Sequence, residues 1–249
     1  MRNIKLTLEY DGTHFFGFQK QKRHRTVQSE LESGLKKLFQ KNIRIVASGR
    51  TDSGVHAAAQ TINFHVRSKI PLYRIQRGLN RYFPEDLAVV HIEEVSSRFH
   101  SRYSARWKVY EYRVLNTESR SPLDRFHAYH FPYRLGLAKM KRAARLLCGK
   151  HDFRVYESSG GRRKSAVRTI RQFTIRKQGK AVCFTVEADG FLYKMVRSMV
   201  GTLLEVGRGW LILSDFKRIL TSKDRYLVGA TVPPQGLTLK KVTYGSVRD

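Results

Sequence analysis

The sequence predicts an α+β fold in which a strand-helix-strand-strand-helix-strand pattern occurs twice. Three observations support this. Short segments alternate apolar and polar residues with a period of two, as half-buried strands do. Between them lie stretches whose apolar residues recur three and four apart, as on a helix packed along one face. The two kinds of segment follow the same order in each half of the 249 residues, although no obvious sequence repeat marks a duplication.

In the first half, Ile4, Leu6, Leu8 and Tyr10 alternate as a strand, and Asp11-Gly12 ends it as a turn. The segment from Phe15 to Arg25 then sets Phe15, Phe16 and Phe18 beside Lys20, Lys22, Arg23 and Arg25. Such a mixture suits contact with phosphate; it equally suits a solvated loop whose aromatics plug the core. Thr26 is placed to cap a helix with the stripe Val27, Leu31, Leu35, Leu38 and Phe39. Ile43, Ile45 and Ala47 alternate, as do Ile62, Phe64 and Val66, so two strands flank the loop between them. Pro71 fits the first turn of a second helix with Leu72, Ile75 and Leu79 inward, and Leu87 to Val95 forms a fourth strand.

The second half repeats the order. Trp107 to Leu115 is a strand, and Leu137 to Leu147 is a helix with Leu137, Met140, Ala144 and Leu147 on one side. Thr169 to Arg176 and Ala181 to Ala188 pair as a hairpin across Lys177-Gln178-Gly179-Lys180. A helix follows from Phe191 to Val206, a shorter one from Ser214 to Leu220, and a strand from Thr238 to Tyr244. Two such units give eight strands in paired ferredoxin-like halves, residues 1–104 and 105–249.

Lys and Arg number 48 against 20 acidic residues, a formal charge of +28. That excess implies a polyanionic partner. A membrane surface would also attract it, but there is no apolar run long enough to span one, no signal-like start and no lipidation motif. Nucleic acid is the better match. Cys148 and Cys183 are too few for a disulfide framework and fit a reducing cytoplasm. Cys148-Gly-Lys-His151 has ligand-like spacing with no second pair, so no metal site is expected.

One loop carries more than turn chemistry needs: Gly49-Arg50-Thr51-Asp52-Ser53-Gly54-Val55-His56-Ala57. Glycines accept backbone angles that other residues resist, and an Asx-turn on its own backbone is the plain reading of Asp52. Neither explains a cation beside the anion. The whole string closely resembles the signature of the TruA-type tRNA pseudouridine synthases, with Ser53 where that family usually carries Ala. The resemblance runs from Tyr10-Asp11-Gly12 to Gln235-Gly236-Leu237. It implies that Asp52 is the essential catalytic residue, and that Arg50 helps open the RNA and takes the place of the flipped base.

Two more positions follow from it. In Ser104-Ala105-Arg106-Trp107-Lys108-Val109-Tyr110, the last residue matches the tyrosine that stacks on the target base. A strand tyrosine is otherwise commonly half-buried core. In Met195-Val196-Arg197-Ser198-Met199-Val200-Gly201, Arg197 matches the arginine paired with the catalytic aspartate. Apolar residues lie on nearly every side of this helix, so a charge there needs a partner or must snorkel to the surface.

The resemblance also implies a merged, mainly antiparallel eight-stranded sheet with helices on one side and a central basic cleft. It implies isomerisation of uridine to pseudouridine at positions 38–40 of the tRNA anticodon stem-loop, by a cytoplasmic homodimer needing no cofactor or metal. Lys20, Lys22, Arg23 and Arg25, then Arg98, Arg102 and Arg106, then Arg162-Arg163-Lys164 are basic runs suited to holding the RNA backbone. Two other functions are weaker. A tandem RRM-like RNA-binding protein would show an aromatic-rich RNP1 string, and a two-metal nuclease would need clustered acids; the sequence has neither.

Overall fold

The structure, a computed structural model, describes residues 1–160, 165–222 and 224–245. In chain order the first elements are β1 (Arg2–Tyr10), α1 (Val27–Phe39), β2 (Val46–Ala47), β3 (His56–Val66), α2 (Leu72–Tyr82) and β4 (Leu87–Val95). Then come β5 (Ala105–Leu115), β6 (Tyr129–His130), α3 (Leu137–Leu146), β7 (Gly149–Asp152), β8 (Val167–Gln178) and β9 (Ala181–Ala188). The chain closes with α4 (Met195–Arg208), α5 (Leu213–Thr221) and β10 (Leu237–Tyr244). Among the described residues this is a mixed α+β protein of ten strands and five helices.

The chain forms two compact units, Met1–Arg106 with Thr238–Asp249, and Trp107–Leu237. In the first, β1 lies between β3 and β4, antiparallel to both. The other edge of β3 is divided: β2 pairs antiparallel at Asn63 and Ile62, and β10 pairs parallel at His56 and Ala57. Ile4, Leu6 and Leu8 of β1, Leu31 and Leu35 of α1, and Ile75 and Leu79 of α2 are all closed to solvent. Helix α1 starts with a capping box, Thr26 and Ser29 each accepting the other's backbone N–H.

In the second unit β9 lies between β5 and β8, antiparallel to both, and β7 continues the sheet beyond β8. The β8–β9 hairpin turns in two residues, tighter than the four its sequence suggests. Gly179 takes φ +58 at the first central position, where such turns favour glycine. Tyr112, Phe153, Phe184, Met199 and Phe216 fill this core.

The structure departs from the expected elements in three places. The strand expected over Ile43–Ala47 shortens to Val46–Ala47, which pair with Asn63 and Ile62 of β3. β6 and β7 are additional; with two and four residues they are too short to show a period. The helix expected from Phe191 begins at Met195, since Lys194 at φ +58 lies outside the right-handed region.

Candidate active site

The Asp52 loop leaves β2 and enters β3, and nearly every polar group around the carboxylate is already engaged. Ser48 N–H donates to the Thr61 carbonyl at 2.8 Å, and Gln60 Nε2 donates to the Gly49 carbonyl at 3.0 Å. The Tyr10 hydroxyl bonds Thr51 Oγ1 at 2.8 Å, with burial pushing the phenol's pKa up. Val55 N–H closes a turn on the Asp52 carbonyl at 3.2 Å.

The backbone of residues 12–18 braces the loop. Phe18 N–H donates to the Thr51 carbonyl at 3.0 Å. A Cβ on Gly12 would lie 2.1 Å from the Val55 carbonyl oxygen. Gly17, at φ +83, would bring one to 2.9 Å from that of Thr51. Gly54 N–H, the donor an Asx-turn at Asp52 would use, goes to the Phe15 carbonyl at 3.3 Å. The Asx geometry occurs instead at Asp11, whose Oδ1 accepts from Thr13 N–H at 2.9 Å. The Asp52 side chain is half-buried, and Arg50 in the same loop is exposed.

In the second unit, α4 is buried along almost its whole length, Arg197 included at 8% exposure. Arg197 therefore does not snorkel. Its Nε donates to the Val232 carbonyl at 2.8 Å, on a strap that crosses the helix. Gly229 N–H donates to Thr202 Oγ1 at 3.1 Å, and the Ser198 and Thr231 hydroxyls meet at 3.0 Å. Gly201 lets the strap this close: a Cβ there would sit 1.9 Å from the Ala230 carbonyl oxygen. Tyr110 on β5 is buried, its ring edge-on to Phe191 with centroids 5.1 Å apart. Tyr112 anchors the strap's end, donating to the Pro233 carbonyl at 2.7 Å. Arg50 and Asp52 thus share one loop of the first unit, and Tyr110 and Arg197 belong to the second.

The tRNA pseudouridine synthase family profile matches residues 7–104 and 143–245, which include Asp52, Arg50 and Arg197. The chain belongs to the tRNA pseudouridine synthase family. Tyr110 falls between the matched segments, within the longer alignments to whole relatives. The chain is 45% identical over 244 residues to tRNA pseudouridine synthase A 2 of Clostridium perfringens, covering 98% of this chain and all of that one. It is 42% identical to tRNA pseudouridine synthase A of Thermoanaerobacter sp. and 43% to that of Clostridium acetobutylicum, with the same coverage of both chains. This pseudouridine synthase is accordingly an isomerase acting on tRNA.

The synthase's basic runs divide on inspection. Arg25 is engaged in a fork to Asp86 at 2.7 and 2.6 Å, also reaches Glu30, and lies over the Phe15 ring. Of the first run, then, Arg25 is structural, while Lys22 and Arg23 are exposed and Lys20 pairs with Glu32 at the surface. Arg98, Arg102 and Arg106 are exposed on a segment tied down by buried amides. Asn3 Nδ2 donates to the carbonyls of Ser96 and Phe99, and Asn63 Oδ1 accepts from Ser101 N–H and hydroxyl. Arg162, Arg163 and Lys164 lie outside the described residues. No helix among the described residues is long and apolar enough to cross a membrane.

Sequence reasoning passed over two supports of the site. Gln60, Thr61 and Asn63 break the apolar pattern of β3 with buried polar side chains, and that interruption was the available signal. The strap Gly229–Pro233 gave a weaker one, a glycine and a proline pair without periodicity.

Proposed function

We propose that the enzyme converts uridine to pseudouridine at positions 38–40 of the tRNA anticodon stem-loop, with Asp52 as the catalytic carboxylate. The observation behind this is the Asp52 loop itself. Its backbone and neighbouring hydroxyls are fixed by internal hydrogen bonds, and the loop so held carries a half-buried acidic side chain next to an exposed arginine. A plain turn has no use for that arrangement.

The reaction breaks the N1–C1′ bond, turns the uracil and joins C1′ to C5. The C5 proton goes to solvent and N1 gains one, so nothing is oxidised or transferred and no cofactor or metal is needed. Asp52 acts on the sugar or the base as nucleophile or base. The target nucleotide must first leave its stack, at a cost of a few kcal/mol. Arg50 fills the vacated space, Tyr110 stacks on the extruded base, and Arg197 serves as charge partner to Asp52. That partner opposes the rise in pKa that a closed site would impose on a carboxylate. Tyr110 and Arg197 are both buried in the second unit, which suits residues held in place before substrate arrives.

We also read residues 1–104 and 105–249 as two ferredoxin-like halves. The order β1-α1-β2-β3-α2-β4 supports the first, and β5-α3-β8-β9-α4-β10 with additions supports the second. By family resemblance the enzyme works as a cytoplasmic homodimer. The test is tritium release from tRNA carrying 5-³H-uridine, run with and without EDTA, followed by mapping of pseudouridine. Release that resists the chelator, with product at positions 38–40, is expected. Strand cleavage lost on chelation, or binding without change, would refute the assignment.

A further inference from the structure

Phe16 is the large hydrophobic residue that the Asp52 loop's brace leaves in solvent. Its neighbours Phe15 and Phe18 are each 2% exposed and plug the core, whereas Phe16 is 51% exposed. An isolated exposed aromatic needs no explanation. Phe16 differs because its backbone is fixed at both ends. Its N–H donates to the Arg25 carbonyl at 2.9 Å, and its own carbonyl accepts from Gln21 Nε2 at 2.8 Å. Arg25 is in turn clamped to Asp86, and the next residue, Gly17, lies against the backbone of Thr51–Ser53.

One face of the ring is stacked on His24, centroids 4.3 Å apart and planes 26° from parallel. His24 ends a tight turn closed by a bridge to Gln21, with Lys22 and Arg23 exposed at its tip. Arg23 takes φ +66, a conformation glycine or asparagine would adopt more easily. Backbone strain of this kind persists where the surroundings impose it, and it often accompanies function. Here it sets an exposed cation next in sequence to His24 of the aromatic pair, and the pair's other member, Phe16, precedes Gly17, which lies against the backbone of Thr51–Ser53.

We propose that the Phe16–His24 pair is a stacking platform for an unpaired RNA base next to the target uridine, with Lys22 and Arg23 holding the adjoining phosphates. The pair extends a base stack that the extruded nucleotide has interrupted, so it sets which loop nucleotides can be brought to Asp52. This rests on the proposed function, and the experiment separates the two.

An anticodon stem-loop RNA with 2-aminopurine in its unpaired loop is titrated with wild type, Phe16→Ala and Phe16→Trp, and KM and kcat are measured by tritium release from tRNA. Wild type and Phe16→Trp should quench the probe. Phe16→Ala should lose the quench, keep its Tm and raise KM about 5-fold or more with kcat within about 2-fold. An unchanged quench and KM in Phe16→Ala would overturn the platform while leaving the isomerase intact. A lowered Tm in Phe16→Ala, with Phe16→Trp failing to restore the quench, would also overturn it by making the ring structural. A wild type that quenches the probe without releasing tritium would overturn the isomerase and leave the platform standing.

Discussion

The Asp52 loop and the Arg197 helix place opposite charges by opposite means. Around Asp52 the protein fixes the backbone: hydroxyls, amides and glycine backbone bond one another and hold a half-buried acidic side chain in place. Around Arg197 it buries the charge itself among apolar residues and ties its Nε to a strap carbonyl. The loop separates chemistry from stability, whereas the helix couples them. A buried cation that also ties a strap to its helix cannot be removed quietly.

The largest effect should show that separation directly. Asp52→Asn is expected to lower tritium release about 10³-fold or more and to change Tm little, because the amide keeps the side chain's size and the loop's backbone bonds, such as Val55 N–H to the Asp52 carbonyl, stay in place. Arg197→Met should lose activity about 10²-fold through misplacement. It should also destabilise the fold, because a charged hydrogen bond contributes about 1.5–3 kcal/mol. Thermal unfolding beside a turnover assay decides this. Equal Tm values for the two variants would break the comparison.

How far each region was legible from sequence follows the same line. The Asp52 loop is local: its strands alternate, its glycines mark turns, and its charges stand out within nine residues. Arg197 was legible as a misplaced charge on an apolar helix. What positions it was hidden, because the Val232 carbonyl that receives it lies thirty-five residues away on a segment with no period. Phe16 shows a third kind of limit. Composition alone could not say which of three phenylalanines faces solvent, since that depends on the long-range contacts of Gly12 and Gly17. β6 and β7 stayed hidden for another reason: pairing of so few residues is decided by the neighbouring strand.

Both regions have a glycine where a carbonyl presses close, and the pair sharpens the contrast. Gly12→Ala would drive a Cβ to 2.1 Å from the Val55 oxygen, and Gly201→Ala to 1.9 Å from that of Ala230. Each should destabilise by about 1–3 kcal/mol through overpacking. Gly201 is inside a helix, however, where alanine regains up to about 1 kcal/mol of propensity. Despite its closer approach, Gly201→Ala is therefore expected to lose less stability than Gly12→Ala by denaturant unfolding. The reverse order would mean that the strap is the stiffer of the two supports.

The smallest expected effect concerns what lies beneath the Asp52 loop. The Tyr244 hydroxyl donates to the Ser101 carbonyl at 3.0 Å. Burial is the main cause that pushes its pKa up to about 12, above the ordinary phenol value near 10. The folded state thus holds this proton more tightly than the unfolded chain does. The associated stability is complete below pH 10 and is lost as pH rises from 10 to 12. Tyr244→Phe should cost about 1 kcal/mol at neutral pH for the lost hydrogen bond. In exchange it should flatten the decline in stability above pH 10. Denaturant midpoints for both proteins at pH 7, 10 and 11 measure this. A decline equally steep in both would show that Tyr244 does not carry the alkaline sensitivity beneath the Asp52 loop, leaving Tyr10, whose hydroxyl bonds Thr51 within that loop, as the next phenol to replace.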